Sequence, residues 1–83
     1  MQIKKFFIEW CAPCMAVTIV LSWMDLDWIE LVEVNMSDGK IQDEMISLYN
    51  LKNIPTLIFT ENWKELWRLS WYISKEEIES FIN

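Results

Sequence analysis

The sequence predicts an α/β domain in which a mixed four-stranded sheet carries helices on both faces. Apolar runs of strand length alternate with helix-length segments, and the last two runs are separated only by a turn. A strand–helix–strand unit forms a right-handed parallel crossover, whereas two strands joined by a tight turn pair antiparallel. The order βαβαββα therefore predicts a mixed sheet in a single domain spanning residues 1–83, a length too short for two domains.

The first half of the chain predicts a strand, a helix and a strand. Residues 3–8 are rich in Phe and Ile, which favours a strand, and residues 29–35 (IELVEVN) predict a second one. Between them, Pro13 opens a helix over residues 12–24, because the N–H that proline lacks would be unpaired in a first turn anyway. Polar residues of this helix share one face and its other faces are apolar, so we expect most of the helix to be buried.

The second half predicts a helix, a hairpin and a final helix. Residues 37–39 (SDG) indicate a turn or cap before a helix over residues 41–50. A strand over residues 56–60 begins directly after Pro55, the sequence ENWK turns the chain, and residues 65–70 return as its hairpin partner. Ser74 and Glu77 then form a capping box for the last helix.

Inward-facing positions follow from the spacing of apolar residues in the last two helices. We expect these side chains to face the core: Ile41, Met45, Leu48, Ile78, Phe81 and Ile82. Composition supports a dense core, because 53% of the residues are hydrophobic and the chain contains six Trp, four Phe and two Tyr.

Charge and hydropathy exclude several classes of function. The net charge of −6 speaks against binding to nucleic acid and to an anionic membrane surface. The apolar stretch over residues 11–23 is too short to span a bilayer, which needs about 20 residues. Lys4 and Lys5 precede apolar residues as in a signal peptide, but Glu9 and Pro13 interrupt the run and no cleavage pattern follows. We therefore expect a cytoplasmic protein, without membrane or nucleic-acid partners.

The chain's two cysteines stand one helical turn apart in the sequence EWCAPC, at the start of the first helix. Unpaired N–H groups and the helix dipole at a helix N-terminus stabilise a thiolate, whose ordinary pKa of about 8.5 falls in such a setting. Cys11 is then a good attacking group in disulfide exchange, and Cys14 is placed to resolve a mixed disulfide. Pro13 stiffens the turn between them. In a reducing compartment, a lone cysteine pair is more often redox-active or metal-binding than structural.

Other uses of the pair remain open from spacing alone. C-x-x-C is also half of a zinc site, but a structural zinc site needs four ligands and the chain has neither His nor further Cys. A site completed by carboxylates, a site shared between two chains and a purely structural cysteine pair are the alternatives.

The active-site sequence resembles that of the thioredoxin family, in which a Trp precedes a C-x-P-C pair. The segment NIPTLIF, residues 53–59, is similar to the thioredoxin loop that contains a cis proline, and the C-terminal SWYISKEEIESFIN also resembles that family. The resemblance covers nearly the whole chain and implies a minimal, glutaredoxin-sized thioredoxin fold without the N-terminal strand and helix of full-length thioredoxins.

The resemblance also implies roles for individual residues. Cys11 would be the nucleophile and Cys14 the resolving thiol, with a cis bond between Ile54 and Pro55. A substrate groove would then be framed by Trp10, Ala12, Pro13, Ile54, Pro55 and Trp71. Trp10 as an ordinary core aromatic and Pro55 as a trans proline at a strand edge are the alternatives.

Two departures from the family pattern stand out. Lys5 occupies the position of a buried family Asp, six residues before the first cysteine, and Glu33 aligns with a frequent Lys. We expect these two residues to form a charge-swapped tuning pair, the alternative being that Lys5 extends to water. Trp71 stands where a groove-lining Gly is usual and Trp63 where a turn Gly is common, while the chain's single glycine is Gly39.

The resemblance implies a thiol–disulfide oxidoreductase that mainly reduces disulfide-bearing protein substrates. It implies no bound cofactor, a monomer, and electrons from a thioredoxin-reductase-like enzyme or another dithiol carrier. The alternatives are a partner-binding module in which redox chemistry is incidental, and a metal-bridged dimer.

Overall fold

The computed structural model describes residues 1–82 as four strands and three helices in the predicted order. The strands are β1 (Gln2–Phe7), β2 (Glu30–Asn35), β3 (Thr56–Glu61) and β4 (Lys64–Ser70). The helices are α1 (Ala12–Ser22), α2 (Gly39–Tyr49) and α3 (Lys75–Ile82). Wherever the sequence predicted both ends of an element, the observed ends lie within two residues of the prediction.

The sheet is mixed and has the strand order β2-β1-β3-β4. β1 pairs parallel with β2, whereas β1 with β3 and β3 with β4 are antiparallel. Phe6 near the end of β1 pairs with Thr56 at the start of β3. The loop that leads into α1 and the loop before β3 therefore lie at the same end of the two central strands. This topology confirms the predicted fold class and places Cys11 and Pro55 at the same end of the sheet.

Helices cover both faces of the sheet, as predicted. Alternate residues of β3 separate the two cores, because successive side chains of a strand point to opposite faces. Leu57 and Phe59 belong to the core under α1 and α3, whereas Ile58 belongs to the core under α2. The capping box is also confirmed: Glu77 N donates to Ser74 Oγ at 3.1 Å and Ser74 N donates to Glu77 Oε1 at 3.2 Å.

The expectation that most of α1 is buried is wrong. Its buried residues are Cys14, Val17 and Leu21, while Met15 and Ile19 are 61% and 48% exposed. A single helix on the outside of a sheet buries only the stripe that faces the sheet, however apolar its other sides are.

The predicted inner face of α2 is only partly correct. Met45 packs on the second core, but Ile41 and Leu48 are 40% and 68% exposed. Tyr49 takes their place, with its ring centroid 5.1 Å from that of Phe6, so the helix is rotated toward the side that carries this tyrosine. In α3, Ile78 is fully buried, and Phe81 and Ile82 pack against the first core as predicted.

The tryptophans do not contribute to the buried core, contrary to the expectation from composition. All six are exposed, from 54% for Trp67 to 98% for Trp63. The fully buried aromatic side chains are Phe6 and Phe59, and the rest of the core is mainly aliphatic. The density of this core therefore comes from Ile, Leu, Val and Phe.

Candidate active site

The cysteine pair lies at the N-terminus of α1. Cys11 is the N-cap residue and Cys14 lies in the first turn, with their Cα atoms 5.2 Å apart and a disulfide joining their sulfurs. The backbone N–H of Cys14 donates to Cys11 Sγ at 3.2 Å. A helix N-terminus presents unpaired N–H groups and a partial positive charge, so this hydrogen bond stabilises negative charge on Cys11 after reduction.

The two cysteine residues differ in their access to solvent. Cys14 is 3% exposed and belongs to the buried stripe of α1, whereas Cys11 is half-buried at the start of the helix. Cys11 is therefore the more accessible of the two cysteines in this structure.

The loop before β3 lies beside the cysteines at this end of the sheet. The Ile54–Pro55 peptide bond is cis, which confirms the expectation from the segment NIPTLIF. Pro55 is buried, and its carbonyl oxygen accepts a hydrogen bond of 2.9 Å from the backbone N–H of Trp71. This bond ties the loop to the segment that follows β4.

An apolar cleft of about 270 Å³ opens next to the cysteine turn. Its lining residues are Ala12, Pro13, Ala16, Trp71, Tyr72 and Ile73. The structure thus brings together Ala12, Pro13 and Trp71, which the sequence analysis assigned to a groove. Ala16 and Tyr72 were missed, although Ala16 lies one helical turn after Ala12 and Tyr72 follows Trp71 directly.

Three of the predicted groove residues, Trp10, Ile54 and Pro55, are not among those that line the cleft. The side chain of Ile54 packs with the core under α2 and does not line the cleft. Trp10 is 96% exposed and adopts a left-handed backbone conformation with φ of 61°, so it is not a core aromatic. Neither is among the residues that line the cleft.

Lys5 is buried beneath α1, with 2% of its surface exposed. Its ammonium group donates to Thr18 Oγ1 and, at 3.3 Å, to Glu33 Oε2. Thr18 Oγ1 in turn donates to the carbonyl oxygen of Cys14 at 3.1 Å. The side chain of Glu33 is 52% exposed, so the contact joins a buried cation to a half-exposed carboxylate and is not a fully buried pair.

Within residues 1–82, no group of three or more Cys, Asp and Glu side chains is arranged to hold a metal ion. No helix in this part of the chain combines the length and the apolar character needed to cross a membrane.

A mixed sheet with helices on both faces and a C-x-x-C disulfide at the N-terminus of α1 defines a protein of the thiol–disulfide oxidoreductase class. The sequence model of the Thioredoxin family matches residues 2–83, and the chain belongs to this family. The activity of the class is therefore the activity of this protein, which exchanges disulfides with other proteins through Cys11 and Cys14.

Individual relatives agree with this assignment. The thioredoxin of Chlamydia caviae is 32% identical over 80 residues, which cover 94% of this chain and 76% of that protein. The thioredoxin of Listeria monocytogenes is 27% identical over 81 residues, which cover 98% of this chain and 79% of that protein.

Solved structures show the same fold. Oxidised thioredoxin O2 from Arabidopsis thaliana superposes with a TM-score of 0.82 at 18% identity, covering 98% of this chain and 70% of that chain. Fasciola hepatica thioredoxin gives a TM-score of 0.80 at 22% identity, covering 98% of this chain and 76% of that chain.

Proposed function

We propose that the protein acts mainly as a reductant of protein disulfides, with Cys11 as the attacking thiol and Cys14 as the resolving thiol. The observation that carries this assignment is the difference in exposure between the two cysteine residues. Cys11 is the more accessible of the pair and caps α1, whereas Cys14 is 3% exposed.

The reaction proceeds through a mixed disulfide. The Cys11 thiolate attacks one sulfur of the substrate disulfide, a new S–S bond forms, and the other substrate sulfur leaves as a thiolate that takes up a proton. Cys14 then loses its proton and attacks Cys11 Sγ, which releases the second substrate thiolate. Two electrons pass to the substrate, and the protein is left with the Cys11–Cys14 disulfide.

The cleft beside the cysteines supports a protein substrate. Its walls are apolar and consist of the first turns of α1 and the segment after β4, so a substrate chain attached to Cys11 can bury apolar side chains there. We propose that Pro55 frames this cleft through its hydrogen bond to Trp71 and that exposed Trp10 contacts the substrate from outside it.

Electrons for the next cycle would come from a thioredoxin-reductase-like enzyme or another dithiol carrier, without a bound cofactor. A cytoplasmic location and a monomeric state complete the proposal. The location is supported by cysteine usage, because the chain's two cysteines form the redox pair and none is left for a separate structural disulfide, as is usual in a reducing compartment.

Reduction of insulin disulfides tests this function. With dithiothreitol or a thioredoxin reductase as the donor, the protein should accelerate insulin reduction, and Cys11→Ser should abolish the acceleration. Cys14→Ser should instead accumulate a mixed disulfide with a protein substrate, because the resolving thiol is missing. Alkylation of the reduced protein at neutral pH should label Cys11 first, and preferential labelling of Cys14 would reverse the two roles.

A further inference from the structure

A second cavity, of about 350 Å³, opens at the active-site end of the sheet. Thr56 on its wall directly follows Pro55 in the sequence and pairs with Ser70 of β4. Ser70 in turn precedes Trp71, so the cavity lies beside the hydrogen bond that joins Trp71 to Pro55. Within the described part of the chain, the cavity is lined by Asn50, Lys52, Asn53, Thr56, Arg68 and Ser70.

The register of the sheet places this cavity on the opposite face from the apolar cleft. Arg68 pairs directly with Ile58, and directly paired residues of neighbouring strands point to the same face. Ile58 belongs to the core under α2, so Arg68 lies on the α2 side of the sheet. The cleft is instead lined by Ala12 and Ala16 of α1. A substrate chain that crosses this end of the sheet can therefore contact both.

The cavity is cationic in a protein whose net charge is −6. Lys52 and Arg68 bring two positive charges to its wall, and none of the six lining residues is acidic. No ion pair that the structure describes between residues 1 and 82 includes Lys52. The other lining side chains are amides and hydroxyls, which can donate hydrogen bonds. This chemistry favours an anionic ligand.

The guanidinium of Arg68 is held in place and still has free donors. Its Nε and Nη2 donate to the two carboxylate oxygens of Glu65 at 2.7 Å, and Nη1 donates to the carbonyl oxygen of Asn50 at 3.4 Å. A guanidinium carries five N–H donors, so one remains on Nη1 and one on Nη2. Two neighbouring donors of this kind match the two oxygens of a carboxylate. Glu65 offsets the charge of Arg68, and Lys52 leaves the cavity with a net positive charge.

We propose that this cavity is a subsite for an acidic side chain of the protein substrate, bound by Arg68 and Lys52 while Cys11 attacks the substrate disulfide. The inference rests on the function proposed above and adds a class of substrate, namely proteins with Asp or Glu close to the reactive cysteine. The negative charge of the whole protein repels such substrates. A local cationic subsite compensates for this repulsion and fixes the orientation of the substrate chain.

Pairs of disulfide peptides that differ only by Glu or Gln test the subsite. Each peptide is a symmetric disulfide of a short chain with one cysteine, and the variable residue is placed in turn at each position within about three residues of that cysteine, a reach of about 10 Å. Dithiothreitol serves as the common electron donor. At low ionic strength the best-placed Glu peptide should show a kcat/KM about fivefold above that of its Gln counterpart, and added salt should reduce this preference.

Charge-removing variants locate the effect. Arg68→Gln and Lys52→Gln should each reduce the preference for the Glu peptide to less than about twofold. Lys64→Gln is the matched control, because it removes the same charge at the hairpin end of β4 and should retain the preference. An equal loss in all three variants would mean a general charge effect and would overturn the proposal. Equal rates for the two peptides in the parent protein would also overturn it, while leaving the reductase function intact.

Binding without reduction separates this inference from the proposed function. A cysteine-free Glu peptide titrated into the oxidised protein should shift the backbone amide NMR signals of Asn53, Thr56 and Ser70, and its Gln counterpart should not. Arg68→Gln should remove these shifts. A protein that reduces neither disulfide peptide yet shows the shifts would refute the proposed function and leave the subsite in place. Absent shifts, or the same shifts with both peptides, would show that the cavity does not bind an acidic side chain.

Discussion

Trp71 stands at the wall of the active-site cleft in a backbone conformation that glycine adopts most easily. Its φ is 69°, its N–H holds the Pro55 carbonyl, and its side chain is 58% exposed beside Ala12 and Pro13. This indole therefore does not pack inward against α3. An indole at this place narrows the approach of a substrate backbone, which a glycine would leave open.

We expect Trp71→Gly to raise kcat/KM for insulin by about three- to tenfold and to weaken binding to the natural partner, because a wider cleft accepts more substrate shapes. Trp63→Gly is the matched control. It removes an exposed indole from a residue with φ of 68° in the hairpin turn, at the opposite end of the sheet from the cysteines. The measurement compares both variants with the same electron donor. An unchanged or lower rate in folded Trp71→Gly would show that this side chain does not restrict the cleft.

Local sequence signals predicted the elements well, and the failures have identifiable causes. Pro13 and the Ser74–Glu77 box marked the starts of two helices because those signals act within one turn. The sequence overestimates the burial of α1, since several sides of this charge-free helix are apolar and only the side that meets the sheet becomes buried. The cleft is lined by Tyr72 together with Ala16, residues more than 50 positions apart that only the folded chain brings to one place.

The capping box of α3 offers a test at the level of one helix. Ser74→Ala should lower the free energy of unfolding by about 1 kcal/mol, because the N–H of Glu77 loses its acceptor. Ser80→Ala is the control in the same helix: its hydroxyl donates to the Glu77 carbonyl and caps no N–H group. Chemical denaturation of both variants measures the difference. Equal losses in the two would mean that the box contributes nothing specific.

The ion pair on β4 makes stability depend on pH in a defined direction. Two hydrogen bonds of 2.7 Å from the Arg68 guanidinium lower the pKa of Glu65 below its usual value of 4.5. The folded state therefore favours the carboxylate, so the stabilisation is present above the usual glutamate range and is lost as the pH falls through the lowered value. Both side chains are more than a third exposed, so solvent limits the effect to less than about 1 kcal/mol.

Glu65→Gln should therefore be slightly less stable than the parent protein at neutral pH, and the difference should disappear in acid, where Glu65 is protonated in the folded protein as well. Denaturant midpoints across this pH range provide the measurement. Glu61→Gln serves as the control, because Glu61 is exposed and lies outside the described ion pairs. A stability difference for Glu65→Gln that persists unchanged into acid would contradict the assigned role of the pair.

Across the whole molecule, tryptophan occupies positions that suit glycine. Tryptophan is usually well buried, yet all six of these side chains are exposed. Three of the five non-glycine residues with positive φ in the described structure are Trp10, Trp63 and Trp71, whereas Gly39, the only glycine, begins α2. Because no indole belongs to the buried core, intrinsic fluorescence should resemble that of solvent-exposed tryptophan and should report unfolding poorly. Circular dichroism is the better probe.

The hairpin between β3 and β4 shows how much stability is lost when tryptophan occupies a position with positive φ. Asn62 and Trp63 form its two-residue loop with φ of 51° and 68°, a turn for which Asn-Gly is the preferred sequence. A left-handed conformation destabilises a residue with a Cβ atom by about 1–2 kcal/mol, and glycine avoids this cost. Glycine also loses more conformational entropy on folding, which offsets part of the gain.

Trp63→Gly should therefore raise the free energy of unfolding by about 0.5–1 kcal/mol. Trp63→Ala removes the same indole but keeps a Cβ atom, so it should give no such gain. Denaturation followed by circular dichroism compares the three proteins, and equal stability of the Gly and Ala variants would show that the backbone angle is not the cause. The backbone angles at positions 63 and 71 favour glycine. The intact mass of the protein purified from its natural source is an independent measurement, since it distinguishes tryptophan from glycine at these two positions.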